Sequence, residues 1–142
     1  MKPIRIKLHE GGRMPERHGA WYDLTLARDA TIKKGEVKVL PLGVSMQLPR
    51  GMEAIVASRS STPLKHGIAP ANGIGVIDGD YCGDNDEWGF VAIGLRDASI
   101  PAGTRIAQFR ILGTIGEQTF EQVDSLDNPD RGGFGSTGTD AR

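Results

Sequence analysis

The sequence predicts an all-β fold, a β-sandwich, jelly roll or barrel with at most one short helical turn. Three observations carry this expectation. Turn signals recur about every 8–12 residues. The segments between them alternate apolar and polar residues, the period of two that a half-buried strand requires. Glycine is abundant, 20 of 142 residues, while the apolar share is a modest 38%. That balance suits many short strands joined by tight turns better than packed helices.

Taken in order, Ile4, Ile6 and Leu8 alternate with Arg5 and Lys7 and predict a first strand. His9 to His18 is polar and contains glycine, so a loop is expected there. Trp21 to Leu26 is strand-like again. Thr31-Ile32 leads to a turn at Lys34-Gly35, and Val37, Val39 and Pro41 continue an alternating face. Val44, Met46 and Leu48 alternate up to the turn Pro49-Arg50-Gly51, and Met52 to Ala57 is a further apolar run. Thr62 to His66 is the one candidate helical turn, with Pro63 tolerated at its start. Gly73 to Gly83 reads as a buried strand running into a tight hairpin. Val91, Ile93 and Leu95 alternate before Arg96-Asp97, and after the turn Pro101-Ala102-Gly103 a long apolar strand covers Arg105 to Leu112.

The bulk properties bound the function. A chain of this length is one domain, 1–142, with room for a real core. From Asp124 onward the residues are too polar and glycine-rich to order themselves, so 124–142 is expected to be a mobile tail. The net charge of −1 provides no global field for nucleic acid, so a polyanionic ligand needs placed arginines and backbone N–H groups. Cys82 is the single cysteine, which excludes an internal disulfide and makes a reducing cytoplasm the default. The N-terminus has no apolar run of a secretion signal, and no segment approaches the roughly 20 apolar residues of a membrane span.

Four stretches could carry chemistry. In Gly73 to Gly83, Asp78, Asp80 and Tyr81 crown an apolar strand. A carboxylate fixed there is a candidate general base, although an ordinary Asp-Gly turn has the same composition. Ser58-Arg59-Ser60-Ser61-Thr62 offers hydroxyls, a guanidinium and free N–H groups for an anion, or a simple N-cap. Gln108 is polar within an apolar strand, where an outward-facing residue is the ordinary explanation. The tail segment Gly132-Gly133-Phe134-Gly135-Ser136-Thr137-Gly138 combines close-approach glycines, two hydroxyls and a ring, suited to a phosphate chain and a base. It lacks the lysine of a P-loop. His9, His18 and His66 lack partners at zinc-ligand spacing. Asp84-Asn85-Asp86-Glu87 lacks calcium-loop spacing and reads as a solvated turn.

Together these stretches resemble the five ordered motifs of the homotrimeric dUTPases. Trp21-Tyr22-Asp23-Leu24 is similar to the first. Arg59-Ser60-Ser61 with Lys65-His66-Gly67-Ile68 is similar to the second, and Asn72 to Gly83 to the third. Gly103 to Gln108 is similar to the fourth, and Arg131 to Gly138 to the fifth. The features resemble most the variant of Gram-positive bacteria and their phages. Three departures stand out. Arg131 and Phe134 are closer together than usual, Ser61 stands where glycine is common, and Gly83 to Asp97 is longer than usual and carries Trp88 and Phe90.

The resemblance implies a β-jelly roll, a homotrimer with active sites at subunit interfaces, and hydrolysis of dUTP to dUMP and pyrophosphate with Mg²⁺. It implies Asp78 as the base that orients the attacking water and Tyr81 as the floor under the deoxyribose that excludes a 2′-hydroxyl. Asn72, with the nearby backbone of Gly75 and Ile77, would read uracil. Arg59, Ser60, Ser61 and Gln108 would hold the phosphates, joined from the tail by Arg131, and Asp23 would act on the metal through water. Phe134 would stack on uracil beside Gly135, with Trp88 or Phe90 as substitutes, while Ser136 and Thr137 hold the γ-phosphate. Two rivals remain: a dCTP deaminase-like enzyme of the same fold, whose catalytic glutamate motif is absent here, and a protein that also binds a regulatory partner through Gly83 to Asp97.

Overall fold

The structure, a computed structural model, describes residues 2–135 and residue 138. The largest sheet has five antiparallel strands in the order β2 (Glu16–His18), β3 (Trp21–Thr25), β12 (Arg105–Gly113), β7 (Met52–Ser58) and β9 (Gly75–Ile77). A second sheet has three, β5 (Val37–Pro41), β10 (Gly89–Gly94) and β8 (Ile68–Pro70). Two pairs complete the fold, β1 (Arg5–Leu8) with β6 (Val44–Gln47), and β4 (Ala30–Ile32) with β11 (Ala98–Ile100). Every strand pair is antiparallel. This is the all-β, jelly-roll-like architecture the sequence predicts.

One continuous core joins the sheets. Leu24, Ala54, Val56, Ile106 and Phe109 come from the five-stranded sheet, and Leu40, Ile68, Phe90 and Ala92 from the three-stranded one. Period-two alternation sends these side chains inward. On β10, Phe90, Ala92 and Gly94 are buried while Val91 and Ile93 are only partly covered. Trp88 is fully buried and meets Phe109 edge-on, with ring centroids 5.2 Å apart. Phe109 also stacks with Tyr22 at 5.5 Å.

Only β2 and β3 pair as consecutive strands; the other pairs join distant parts of the chain. Two expectations are corrected by this. Glu16 to His18, expected in a loop, forms the edge strand β2, because β3 supplies a free edge to pair with. Gly73 to Gly83 is not a hairpin. β9 pairs with β7, and the chain then turns, Tyr81 N–H donating to the Asp78 carbonyl at 3.1 Å, and strand β10 pairs elsewhere. Val37 and Val39 are exposed, since it is Leu40 of β5 that faces the core. The last strand ends at Gly113, and among the described residues nothing regular follows it.

The expected helical turn is α1 (Thr62–His66), with proline in its first turn. Gly67 ends it with φ 65°, a left-handed conformation that glycine adopts without strain. A Cβ at Gly67 would also stand 2.8 Å from the Arg96 side chain. Thr62 is buried, and its hydroxyl donates to the Ile106 carbonyl at 2.8 Å, tying α1 to β12.

Trp88→Ala should destabilise the fold by about 3–5 kcal/mol, the usual cost of emptying a large aromatic site. Trp88→Phe, which keeps a ring against Phe109, should cost less. Denaturant unfolding at one fixed protein concentration measures both.

Candidate active site

The five-stranded sheet gathers one group of polar residues. Asp23 on β3 lies opposite Gln108 on β12, and Gln108 lies opposite Ala57 on β7. Arg59 leaves the end of β7 and turns back over them. Its Nε is 3.3 Å from Asp23 Oδ2, and its Nη1 donates to the Arg105 carbonyl at 3.3 Å. The Gln108 amide donates to the Ser58 carbonyl at 3.0 Å, so this glutamine is half-buried and fixed rather than outward-facing. Ser60 is exposed beside them. Ser61 occupies the N-cap position of α1, yet its hydroxyl makes no capping bond. Two hydroxyls, a guanidinium and an amide thus share one end of the sheet, a donor-rich surface suited to phosphate oxygens.

Asp23 is buried, and its Oδ2 has no aligned hydrogen-bond donor despite the nearby Arg59. His18 Nε2 stands 3.7 Å from both Asp23 Oδ2 and Glu16 Oε2. Beside them is a cavity of about 170 Å³ lined by Arg13, Glu16, Asp23, Thr25 and Arg105. Arg105 bonds Glu16 at 2.7 Å. The strand Glu16–His18 carries no apolar alternation, so its place beside Asp23 left no signal in the sequence.

A Mg²⁺ ion keeps several of its waters and takes few protein carboxylates when phosphates supply the rest. No group of three or more metal-ligating side chains occurs among the described residues. A single buried carboxylate, already at ion-pair distance from Arg59, can at most meet a hydrated ion that phosphates bring with them. The residues therefore fit the ion only as a companion of substrate, not as one held by a cage of protein side chains.

The third stretch supplies a different surface. Asp78 is exposed just past β9, and Tyr81 is 40% exposed in the turn that follows. Ile77 is buried, so only its backbone can meet a ligand; Gly75 is half-buried and Asn72 exposed. Register fixes where this surface lies. Ile77 pairs with Ala54 near the start of β7, whereas Arg59 follows the end of that strand. Asp78 and Arg59 are thus separated by about six residues of extended strand, roughly 20 Å. One α-phosphate cannot touch both within a single chain.

In the tail, Arg131 and Gly135 are exposed, and the Phe134 ring is fully solvated. Ser136 and Thr137 lie outside the described residues. Trp88 and Phe90, considered as substitute stacking rings, are both buried in the core and are not free to cover a base. Asp86 and Glu87, expected in a solvated turn, are half-buried; the Glu87 carboxylate accepts from Arg28 and from the Gly43 N–H, each at 3.0 Å. His66 sits among Lys65, Arg59 and Arg96; burial first, and then these cations, hold its imidazole below its ordinary value.

Comparison with known proteins adds sequence and fold relationships. The dUTPase family model matches residues 14–138. The chain is 53% identical, over 121 residues, to the SPbeta prophage-derived deoxyuridine 5'-triphosphate nucleotidohydrolase YosS of Bacillus subtilis, covering 85% of each chain. It superposes on the crystal structure of dUTPase from Streptococcus mutans with TM-score 0.73 and 27% identity, covering 80% of this chain and 98% of that one. A Staphylococcus bacteriophage 80alpha dUTPase G164S mutant with dUpNHpp matches with TM-score 0.78 and 23% identity, over 98% of this chain and all of that one, a likeness of fold.

The lowered His66 value has a defined consequence for stability. Below the ordinary value of 6.5 the unfolded chain takes up a proton that the folded chain resists, so acid weakens the fold. Stability should rise with pH up to that value and then level. His66→Gln should flatten this part of the profile, as read by thermal unfolding at a series of pH values.

Proposed function

The chain belongs to the dUTPase family and is a dUTP-hydrolysing enzyme, and on that premise we propose how its residues divide the work. Asp78 orients a water molecule at the α-phosphorus and takes its proton as the new P–O bond forms. The bond from the α-phosphorus to its bridging oxygen breaks, and pyrophosphate leaves. Arg59, Ser60, Ser61 and Gln108 hold the phosphate oxygens and stabilise the charge that develops there. Mg²⁺, when bound on the triphosphate, offsets phosphate charge and makes pyrophosphate a better leaving group. Asp23 would hold that ion through water, and it keeps Arg59 in place.

Tyr81 forms the floor under the deoxyribose. Asn72, with the backbone of Gly75 and Ile77, reads the uracil edge, where a wrong base leaves buried groups unpaired. The tail, residues 124–142, closes over the site. Its exposed Phe134 supplies the stacking ring with Gly135 beside it, Arg131 approaches the phosphates, and Ser136 and Thr137 hold the γ-phosphate.

The observation that carries this reading is the separation of Asp78 from Arg59 along β7. It supports a site built from two chains, Asp78 and Tyr81 from one and Arg59 and Gln108 from another, within a homotrimer. Exposed apolar groups support assembly as well. Val37 and Val39 lie outward on β5, and Ile115, Phe120 and Leu126 are more than three-quarters exposed in the segment after β12. Such groups usually mark a surface that another chain covers.

Subunit mixing tests the two-chain site. Asp78→Asn should lose most turnover, by about a hundredfold or more, while still binding a non-hydrolysable dUTP analogue. Arg59→Ala should be similarly impaired. Unfolding and reassembling the two together in equal amounts should restore about a quarter of wild-type activity, because a quarter of randomly formed interfaces then join two intact halves. No recovery in verified mixed trimers would overturn the shared site. Deleting residues 131–142 should leave an assembled protein with poor activity; full activity would remove the tail from the mechanism.

A further inference from the structure

The segment between Tyr81 and β10 is the least expected feature of the molecule. It forms a hydrogen-bonded strap across β6. Lys7 Nζ donates to the Asp84 carbonyl at 3.0 Å. The Gly83 N–H donates to Asp86 Oδ2 at 2.8 Å. The Ser45 hydroxyl donates to the Asp86 carbonyl at 2.6 Å, and the Trp88 N–H to the Val44 carbonyl at 2.8 Å. Glu87 lies between these last two anchors. Its carboxylate takes both oxygens onto Arg28 Nη2 at 3.0 Å and accepts the Gly43 N–H. Arg28 is itself held by the Glu10 carbonyl at 2.8 Å. With Trp88 buried beside it, the main chain at Glu87 has little freedom.

The Glu87 carbonyl, fixed in this way, accepts the Tyr81 hydroxyl at 3.0 Å. Tyr81 stands in a turn, and its ring is 40% exposed, so packing alone does not determine its angle. The hydroxyl bond determines it. We propose that Glu87, locked by Arg28, is a positioning residue for sugar selection: it aims the Tyr81 ring so that a 2′-hydroxyl collides with it. This rests on Tyr81 being the floor under the deoxyribose. A steric filter of this kind depends on placement, and a shift of about 1 Å in a positioned group can change rates up to a hundredfold.

The experiment compares kcat/KM for UTP with that for dUTP in the full-length protein. Arg28→Met and Glu87→Gln weaken the lock, and Tyr81→Phe removes the hydroxyl while keeping the ring. Each should raise the UTP-to-dUTP ratio by about tenfold, and Glu87→Asp should recover part of the lost discrimination. A purely structural role for Arg28 or Glu87 would lower both substrates together and leave the ratio unchanged. Tyr81→Ala separates the inference from its premise. If Tyr81→Ala leaves the ratio at the wild-type value, Tyr81 is not the sugar floor, and premise and inference both fail. If Tyr81→Ala raises it while Tyr81→Phe and the two lock variants do not, Tyr81 selects the sugar without the strap, and the inference alone fails. Tyr81→Phe needs no change in the strap, so it decides the matter should the lock variants not fold.

Discussion

A single strand sets the terms for the rest of this molecule. β7 lies inside the five-stranded sheet, bonded to β12 on one side and β9 on the other. Its seven residues hold Asp78 beside one end and Arg59 beyond the other. Backbone hydrogen bonding on both edges makes this spacing rigid, and no loop motion within one chain can shorten it by the required distance. Asp78 and Arg59 therefore lie on separate surfaces of one chain, and a site that used both would have to draw them from two chains.

The two halves are held by different physics. At the phosphate end, Asp23 is a buried carboxylate with Arg59 at ion-pair distance. A buried charge of this kind is costly when alone, and pairing offsets much of the cost without making it a strong source of stability. Its value lies in geometry, since Arg59 is drawn back over β3 and β12 instead of extending into solvent. On the other surface Asp78 and Tyr81 are exposed, and the nearest ion pair stands behind them. That pair is Arg28–Glu87, joined to the Tyr81 hydroxyl through the Glu87 main-chain carbonyl.

The segment after β12 is of another kind. It exposes Ile115, Phe120, Val123 and Leu126 to solvent, which a finished surface of this size would rarely leave uncovered together. The core proper is complete without them, for its cluster takes no residue from the segment after β12.

Much of this was legible from residues in order. Alternation placed the strands Ile4 to Leu8, Val44 to Leu48 and Arg105 to Leu112, because one buried face imposes a period of two. Pro63 marked the start of the one helix among the described residues, since its backbone preference acts locally. The five motifs marked Asp23, Arg59, Asp78, Tyr81 and Gln108 as the residues to examine. Partnership was not legible. Glu16 to His18 became a strand only because β3 offered it an edge, Gly73 to Gly83 failed to form a hairpin because β9 found its partner in β7, and Asp86 and Glu87 left solvent because Ser45, Arg28 and Gly43 were waiting for them. The sequence by itself determined which residue types are present and how each short stretch alternates, as those depend on neighbours in the chain. Only the tertiary structure decided that Asp78 and Arg59 are kept apart and that Tyr81 is tied to Glu87. Those facts depend on hydrogen bonds between segments whose separation along the chain carries no local signal.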